Sequence, residues 1–489
     1  MDRDLLTLSG QYFDLLVIGG GIFGAAVARD ASLRGLRVAL IEKSDFASGT
    51  SSRSSKLIHG GFRYLQQRDF RLVFEACRER SILQRIAPHL VRPVPFLFPI
   101  YSGGDISLTK LRLGMTFYDW LALRRNVATH RTLSVERTLL SEPSLSRQGL
   151  RGSVAFYDCQ EDDARFCIDL ILHASQLGAS CINYCKVTGF VTREDRVVAA
   201  RVWDELGSCT FEMSARVFVN AAGPWVEQVS ALTPFDNGAT RLSPAKGVHL
   251  LVPRLTRQHA IAFEARKDHR ILFVIPWGEY SLVGTTDTDF NGDPDQACAD
   301  EADIEYLLTE VRARFPGAAL SESDVLATTV GVRSVAASAL SSPSARSREH
   351  RIVQTGRNVL SIVGGKYTTH RIIAQQTVDA VYGLWGKQPP PCLTAETALP
   401  NPRPAASGER ISTSPEVHAS DIIHACQHEM VVTLEDVMRR RTSLALSRSG
   451  GPEIALQVAK LMAPVMGWNP QEERAQFERY VQEWKRTLP

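Results

Sequence analysis

Apolar residues fall along this chain in three kinds of pattern, and each predicts a different element. Phe13 to Ile18 is a short apolar run ending in glycine, which predicts a buried strand. Gly19-x-Gly21-x-x-Gly24 follows, then an Ala-rich stretch to about Arg34 that reads as a helix, then a second strand from Arg37 to Ile41 closed by Glu42. From Phe70 to Ala87 the apolar positions recur at helical spacing and stop at Pro88. Leu108 to Arg125 is a second amphipathic helix, with Leu113, Phe117, Trp120 and Leu121 on one stripe flanked by Lys110, Arg112, Arg124 and Arg125. That stripe is expected to face a domain core; an interfacial position on anionic lipid has the same periodicity and is the alternative.

Between about Gly152 and Asp289 the period shortens to that of strands. Cys181–Tyr184, Val187–Thr192, Val197–Trp203 and Cys209–Met213 alternate around turns, and the apolar run Arg216–Asn220 opens into Ala221-Ala222-Gly223-Pro224-Trp225. A buried strand followed by small residues and a helix start predicts a return to the first sheet. Leu250–Val252, Ile271–Trp277 and Ser281–Thr286 read as antiparallel strands of a second sheet. Glu301–Arg314 reads as a helix stopped by Pro316-Gly317, and Thr328–Val335 as a strand with Arg333 at its end. Val359 to Arg371 predicts a strand ending in Gly364-Gly365, with Lys366, Tyr367, Thr368 and Thr369 opening a helix. The proline-rich stretch 388–408 is the expected linker to a small helical module. There Thr433 and Asp436 make a capping-box-like start, Arg439 to Arg441 read as a solvated basic face, and Asn469-Pro470 with Glu472 begins the last helix.

Length and charge narrow the classes. The 489 residues suffice for two or three domains, and a net charge of +3 gives no global reason to expect nucleic acid. Nine scattered cysteines without CxxC pairs predict reduced thiols and no metal site. The start of the chain lacks the pattern of a signal peptide, and no apolar run reaches the length of a membrane span, so a cytoplasmic location with only peripheral membrane contact is expected.

The candidate chemistry sits in a few stretches. In the glycine loop, Gly19 permits the tight turn, Gly21 lets a pyrophosphate approach the backbone and Gly24 lets helix and strand pack closely. The helix N-terminus behind the loop offers free N–H groups to an anion. Glu42 suits ribose hydroxyls and would repel a 2′-phosphate, which disfavours NADP. Ser44 to Val73 begins with small and hydroxylated residues, Gly49, Thr50, Ser51, Ser52, Ser54 and Ser55, able to wrap a diphosphate or flavin ring. It then carries Lys56, His59, Arg63 and Tyr64 around Gly60-Gly61, a glycine pair that signals close approach to a ligand. Asp162 and Asp163 at a helix start are read as caps rather than acid/base groups, and Asp287 and Asp289 as turn residues rather than metal ligands.

In VIGGGIFGAAVARDA, SSKLIHGGFRYL, YDCQEDDAR, VNAAGPW, KGVHLLVPR, GTTDTDFNGDP, GVR, GGKYTTHR and TLEDVMRRRT, over nearly its whole length, the chain resembles the FAD-dependent glycerol-3-phosphate dehydrogenases. The resemblance implies an α/β fold in which a Rossmann-like FAD domain (1–80, part of 152–240, 350–385) is interrupted by an α+β substrate domain on an antiparallel sheet (81–150 and 241–349). A linker (386–408) and a C-terminal helical cap (409–489) follow. It implies oxidation of sn-glycerol 3-phosphate to dihydroxyacetone phosphate with electrons passed to membrane quinone, on the inner face of the cell membrane, and leaves a homodimer open. An oxidase using O₂, or a relative acting on another 2-hydroxy acid or amine, is the alternative.

Carried over position by position, the resemblance assigns substrate binding to Arg63, Tyr64, Arg333, Arg348 and Lys366, and catalysis to His59, Arg333 and Lys366. His59 is the expected base because imidazole titrates near neutrality. The cofactor residues are Gly19, Gly21, Ile22, Phe23, Gly24, Glu42, Thr50, Ser51, Ser52, Ser55, Lys56, His59, Val187, Ala222, Gly223, Trp225, Gly365, Lys366 and Thr368. Ser334 stands where the family usually has proline, and Tyr367 and His370 where leucine and tyrosine are common. These departures bear on pocket shape and substrate choice.

Overall fold

The computed structural model describes every residue except 2, 62–69, 123–124, 338–348 and 404. Among the described residues two large sheets dominate, and the chain passes between them repeatedly. The first is built on parallel pairing. Tyr12–Ile18 lies between Val38–Ile41 and Cys209–Asn220, with Val359–Gly364 beyond the latter and Ser180–Ile182 beyond the former. Helices Ile22–Leu33, Asp163–Gln176 and His370–Leu384 pack together beside it, which is why its central strands are apolar on both faces. A hairpin, Cys185–Arg193 with Arg196–Asp204, extends Cys209–Asn220 in antiparallel fashion.

The second sheet has ten strands among the described residues, antiparallel except where Ala260–Glu264 meets Arg92–Tyr101. Ala245–Pro253 is central to one half, pairing with Tyr280–Gly284, Ala327–Arg333 and Thr288–Asp289. Leu150–Gln160 belongs to the other half, between Arg92–Tyr101 and the two-residue strand Leu57–Ile58. Leu57–Ile58 therefore ties the segment after the glycine loop directly to the second sheet.

One expectation from the sequence is corrected here. On helix Leu108–Leu121 the buried stripe is Leu111, Met115 and Tyr118; Leu113 and Trp120 are each 66% exposed and Phe117 is 37% exposed. The helix carries two apolar stripes, and only the one stacked against the second sheet is covered. The proline-rich stretch, expected as a linker, is held by hydrogen bonds at its described residues. It lies as a strap across the first domain, where Arg29 donates to Thr397 O at 2.7 Å, Arg34 to Pro390 O at 3.1 Å and Leu399 N to Ile86 O at 2.7 Å. The helical module beyond it has its own core, with Ile422, Leu434, Val437, Val458 and Tyr480 buried together, and its last helix opens on the expected Asn469–Glu472 capping box.

Candidate active site

Four parallel strands hand the chain to turns at the same end of the sheet: Ile18 to Gly19, Ile41 to Glu42, Asn220 to Ala221-Ala222-Gly223, and Gly364 to Gly365-Lys366. The strand order reverses there, between Tyr12–Ile18 and Cys209–Asn220, the position where open α/β sheets bind ligands. A cavity of about 1010 Å³ opens from these turns to the second sheet.

The glycine loop is shaped for close approach. Gly19 has φ +110°, and a Cβ on it would lie 2.7 Å from Ala221 O. A Cβ on Gly24 would lie 1.9 Å from Gly19 O. Helix Ile22–Leu33 starts without a side-chain cap of its own; instead Ile22 N donates to Ser51 Oγ at 2.9 Å, which brings the hydroxylated segment onto the helix N-terminus. Glu42 accepts from Gly20 N at 2.6 Å and from Ser44 N at 3.0 Å, which fixes its carboxylate at the cavity wall. Thr50 Oγ1 donates to Val332 O at 2.6 Å and so couples this loop to the strand carrying Arg333. Trp225 stands over Gly49, with Lys43 Nζ 4.1 Å from its ring centroid and its buried indole N–H without a hydrogen-bond partner among the described residues. These close backbone approaches, a helix start whose own N-cap residue is glycine and an orphaned indole donor fit a bound dinucleotide.

Of the sequence-predicted residues, Gly19, Gly21, Ile22, Phe23, Glu42, Thr50, Ser51, Ser55, His59, Val187, Ala222, Gly223, Trp225, Arg333, Gly365, Lys366 and Thr368 line this one cavity. Gly24 lies behind the loop, where its packing role acts. Ser52 Oγ is turned to Gly49 O at 3.4 Å. Lys56 is placed elsewhere: its ammonium is buried in an ion pair with Asp163, which is thus more than a helix cap. Arg63, Tyr64 and Arg348 lie outside the described residues.

The wall formed by the second sheet gathers the polar chemistry. Arg333 donates to Asp287 Oδ1 at 2.7 Å, Thr285 Oγ1 at 2.9 Å and Thr286 O at 3.2 Å. Its guanidinium lies across Gly247, where any Cβ would meet it at 2.3 Å. Asp287, read from the sequence as a turn residue, is therefore the carboxylate that orients Arg333. His59 lines the same cavity, and its backbone N–H donates to Thr368 Oγ1 at 3.3 Å. Tyr367 lines the cavity too but turns its hydroxyl away from it, and His370 is drawn inward altogether. The Tyr367 hydroxyl reaches Asp163 O at 2.5 Å, and His370 is buried against Phe166 with Nδ1 2.8 Å from Tyr367 O.

Among the cavity residues without an assignment from sequence is a buried histidine. His249 is 3% exposed and its Nε2 is 2.8 Å from Ser55 Oγ; its Nδ1 has no partner among the described residues. Its Cδ2 edge rests on Gly284, and burial, then Arg333 and Lys56, lower its pKa to about 3, so the ring is neutral. Only its position two residues from Gly247 on one strand face hinted at this. Its partner Ser55 is 194 positions away.

A profile of FAD dependent oxidoreductases matches residues 14–371, and one of the C-terminal domain of alpha-glycerophosphate oxidase matches residues 360–473. Fold, glycine loop and profile together define an FAD-dependent oxidoreductase, with FAD as its cofactor. A glycerol-3-phosphate dehydrogenase 2 of Mycobacterium bovis is 34% identical, covering 97% of this chain and 88% of the relative. A glycerol-3-phosphate dehydrogenase of Synechocystis sp. is 32% identical, covering 98% and 97%. The solved glycerol-3-phosphate dehydrogenase of Bacillus halodurans, complexed with FAD, superposes with a TM-score of 0.77 at 27% identity over 99% of this chain and 96% of that one. The chain belongs to the family of FAD-dependent glycerol-3-phosphate dehydrogenases and oxidases.

Proposed function

We propose that the protein oxidises sn-glycerol 3-phosphate to dihydroxyacetone phosphate and delivers the electrons to a membrane quinone. The observation that carries the reading is the convergence of Arg333, Lys366, His59 and His249 on one cavity with the glycine loop. A guanidinium and an ammonium suit a small phosphate monoester, because charge-assisted hydrogen bonds both hold and orient it. Asp287 keeps the Arg333 fork in one orientation, so that its rotamer is fixed before substrate arrives.

When bound, FAD supplies a two-electron acceptor that takes hydride at flavin N5. The protein's share is to aim the C2–H bond and to take the C2 hydroxyl proton. His59 takes that proton, and the buried neutral His249 offers a second imidazole edge whose far nitrogen is steadied by Ser55. Arg63, Tyr64 and Arg348 complete the phosphate contacts in this reading. The domain division given above, with the linker at 386–408, is part of the same proposal.

Delivery to quinone requires contact with a bilayer. Among the described residues no helix is long and apolar enough to cross a membrane. Support for peripheral contact comes from helix Leu108–Leu121, where Leu113, Phe117 and Trp120 stand in solvent beside Phe70, 44% exposed, with Lys110 and Arg112 exposed at the flank. Phe117 stacks on Trp120 and meets Phe70 edge to face, so the three rings form one aromatic cluster, as suits an interfacial anchor on anionic lipid. Steady-state turnover tests the reading: glycerol 3-phosphate with a soluble quinone should outpace glycerol or a 2-hydroxy acid by orders of magnitude. Stoichiometric peroxide release with O₂ in place of quinone reduction would favour an oxidase.

A further inference from the structure

The basic triplet Arg439–Arg441 was expected to be a solvated face, yet Arg440 and Arg441 are 5% and 3% exposed. Both converge on Asp45, which belongs to the cofactor loop three positions after Glu42. Arg441 NH1 and NH2 grip its carboxylate at 2.7 and 2.9 Å, and Arg440 Nε at 2.5 Å. Asn183 adds a fourth donor at 3.0 Å. Burial alone would push this carboxyl up; Arg441 and Arg440 outweigh it and hold it at about 2.

The segment that Asp45 anchors is continuous with the glycine loop. Phe46 lies over Gly20, where a Cβ would meet its ring at 2.7 Å, and Ala47 N donates to Gly20 O at 3.0 Å. Gly20 N in turn donates to Glu42. From the other side, Thr433, Glu435, Arg440 and Arg479 of the helical module line the cofactor cavity itself, and Arg440 also binds Asp436 at 2.7 Å. Tyr184, another cavity residue, donates to Asp436 at 2.8 Å.

From this geometry we infer that the C-terminal helical module is part of the FAD site: Arg440 and Arg441, acting through Asp45, hold the cofactor loop in its binding shape, so that module docking and FAD binding reinforce one another. The inference rests on FAD occupying this cavity and is independent of which substrate is oxidised. Asp45 and Arg441 are positioning residues here, since they act through the loop. Coupling of this kind is reciprocal: if docking tightens FAD, FAD must tighten docking by the same factor.

The test measures FAD affinity of the full-length apoprotein by flavin fluorescence quenching, alongside the melting temperature with and without saturating FAD. Asp45→Asn should weaken FAD binding tenfold or more and shrink the rise in melting temperature that FAD confers. Ser443→Ala, which removes the Asp162 contact of the same module away from the loop, should leave FAD affinity within twofold. A stabilising contact with no link to the cofactor would lower both melting temperatures equally and leave affinity untouched; that result, or an equal loss in Ser443→Ala, overturns the inference. Hydrogen exchange on the unmutated protein gives the reciprocal reading without a variant. FAD should slow amide exchange across 430–443, and unchanged rates there contradict the coupling.

Discussion

A methyl group on Gly24 would sit 1.9 Å from the carbonyl oxygen of Gly19, a contact between rigid backbone atoms that nothing nearby can relieve. Gly24→Ala should therefore destabilise the chain by about 1–3 kcal/mol, and the purified protein should carry substoichiometric flavin by its visible absorbance. This requirement was legible in the sequence, because the glycine spacing encodes local backbone geometry. Arg333 was legible only as a cation at a strand end; its orienting partner Asp287 lies 46 positions away and needed the fold. Arg333→Ala is expected to lower kcat/KM for glycerol 3-phosphate at least hundredfold, on the order of 3 kcal/mol, with flavin content unchanged. His370 is a buried packing group against Phe166, its pKa lowered to about 3 mainly by burial. The unfolded chain takes up the proton that the folded one refuses, so stability is complete above pH 6.5 and falls as pH drops toward 3. Near pH 5 this ring accounts for about 2 kcal/mol. Urea melts at pH 7 and 5 should show His370→Asn losing less stability across that interval than the parent chain.

Elements with one periodicity were read correctly from sequence; elements with two readings at one periodicity were not. The strand, glycine turn and helix of Tyr12–Leu33 and the strand and turn of Val359–Gly365 stand where the apolar pattern put them. Helix Leu108–Leu121 has one stripe for the second sheet and another in solvent, and hydrophobicity alone could not say which was which. Its outward stripe makes a prediction at this scale. Replacing Leu113, Phe117 and Trp120 together by serine should abolish co-sedimentation with anionic vesicles and slow quinone reduction, while soluble dye reduction stays within twofold. Retained co-sedimentation would place the membrane face elsewhere. The Arg439–Arg441 segment failed for a different reason: a run of charges reads as solvated unless its counter-charge is seen, and Asp45 is 395 and 396 positions away.

Over the whole molecule, the first sheet supplies turns for the dinucleotide and Lys366, the second supplies Arg333 and the imidazole of His249, and the loops that close the cavity connect the two. Thr50 to Val332, Ser55 to His249 and Lys56 to Asp163 are the joints between them. The fold class could be read from sequence because a βαβ start, a return strand and an antiparallel run each have their own period. The joints could not, since each pairs residues more than a hundred positions apart. The proposed reaction requires this cavity to present a phosphorylated alcohol to bound FAD. Anaerobic titration of the purified flavoprotein with sn-glycerol 3-phosphate measures that directly. The oxidised flavin band should bleach fully at one equivalent per flavin, and glycerol should leave it intact; a band that persists under excess glycerol 3-phosphate would contradict the assignment.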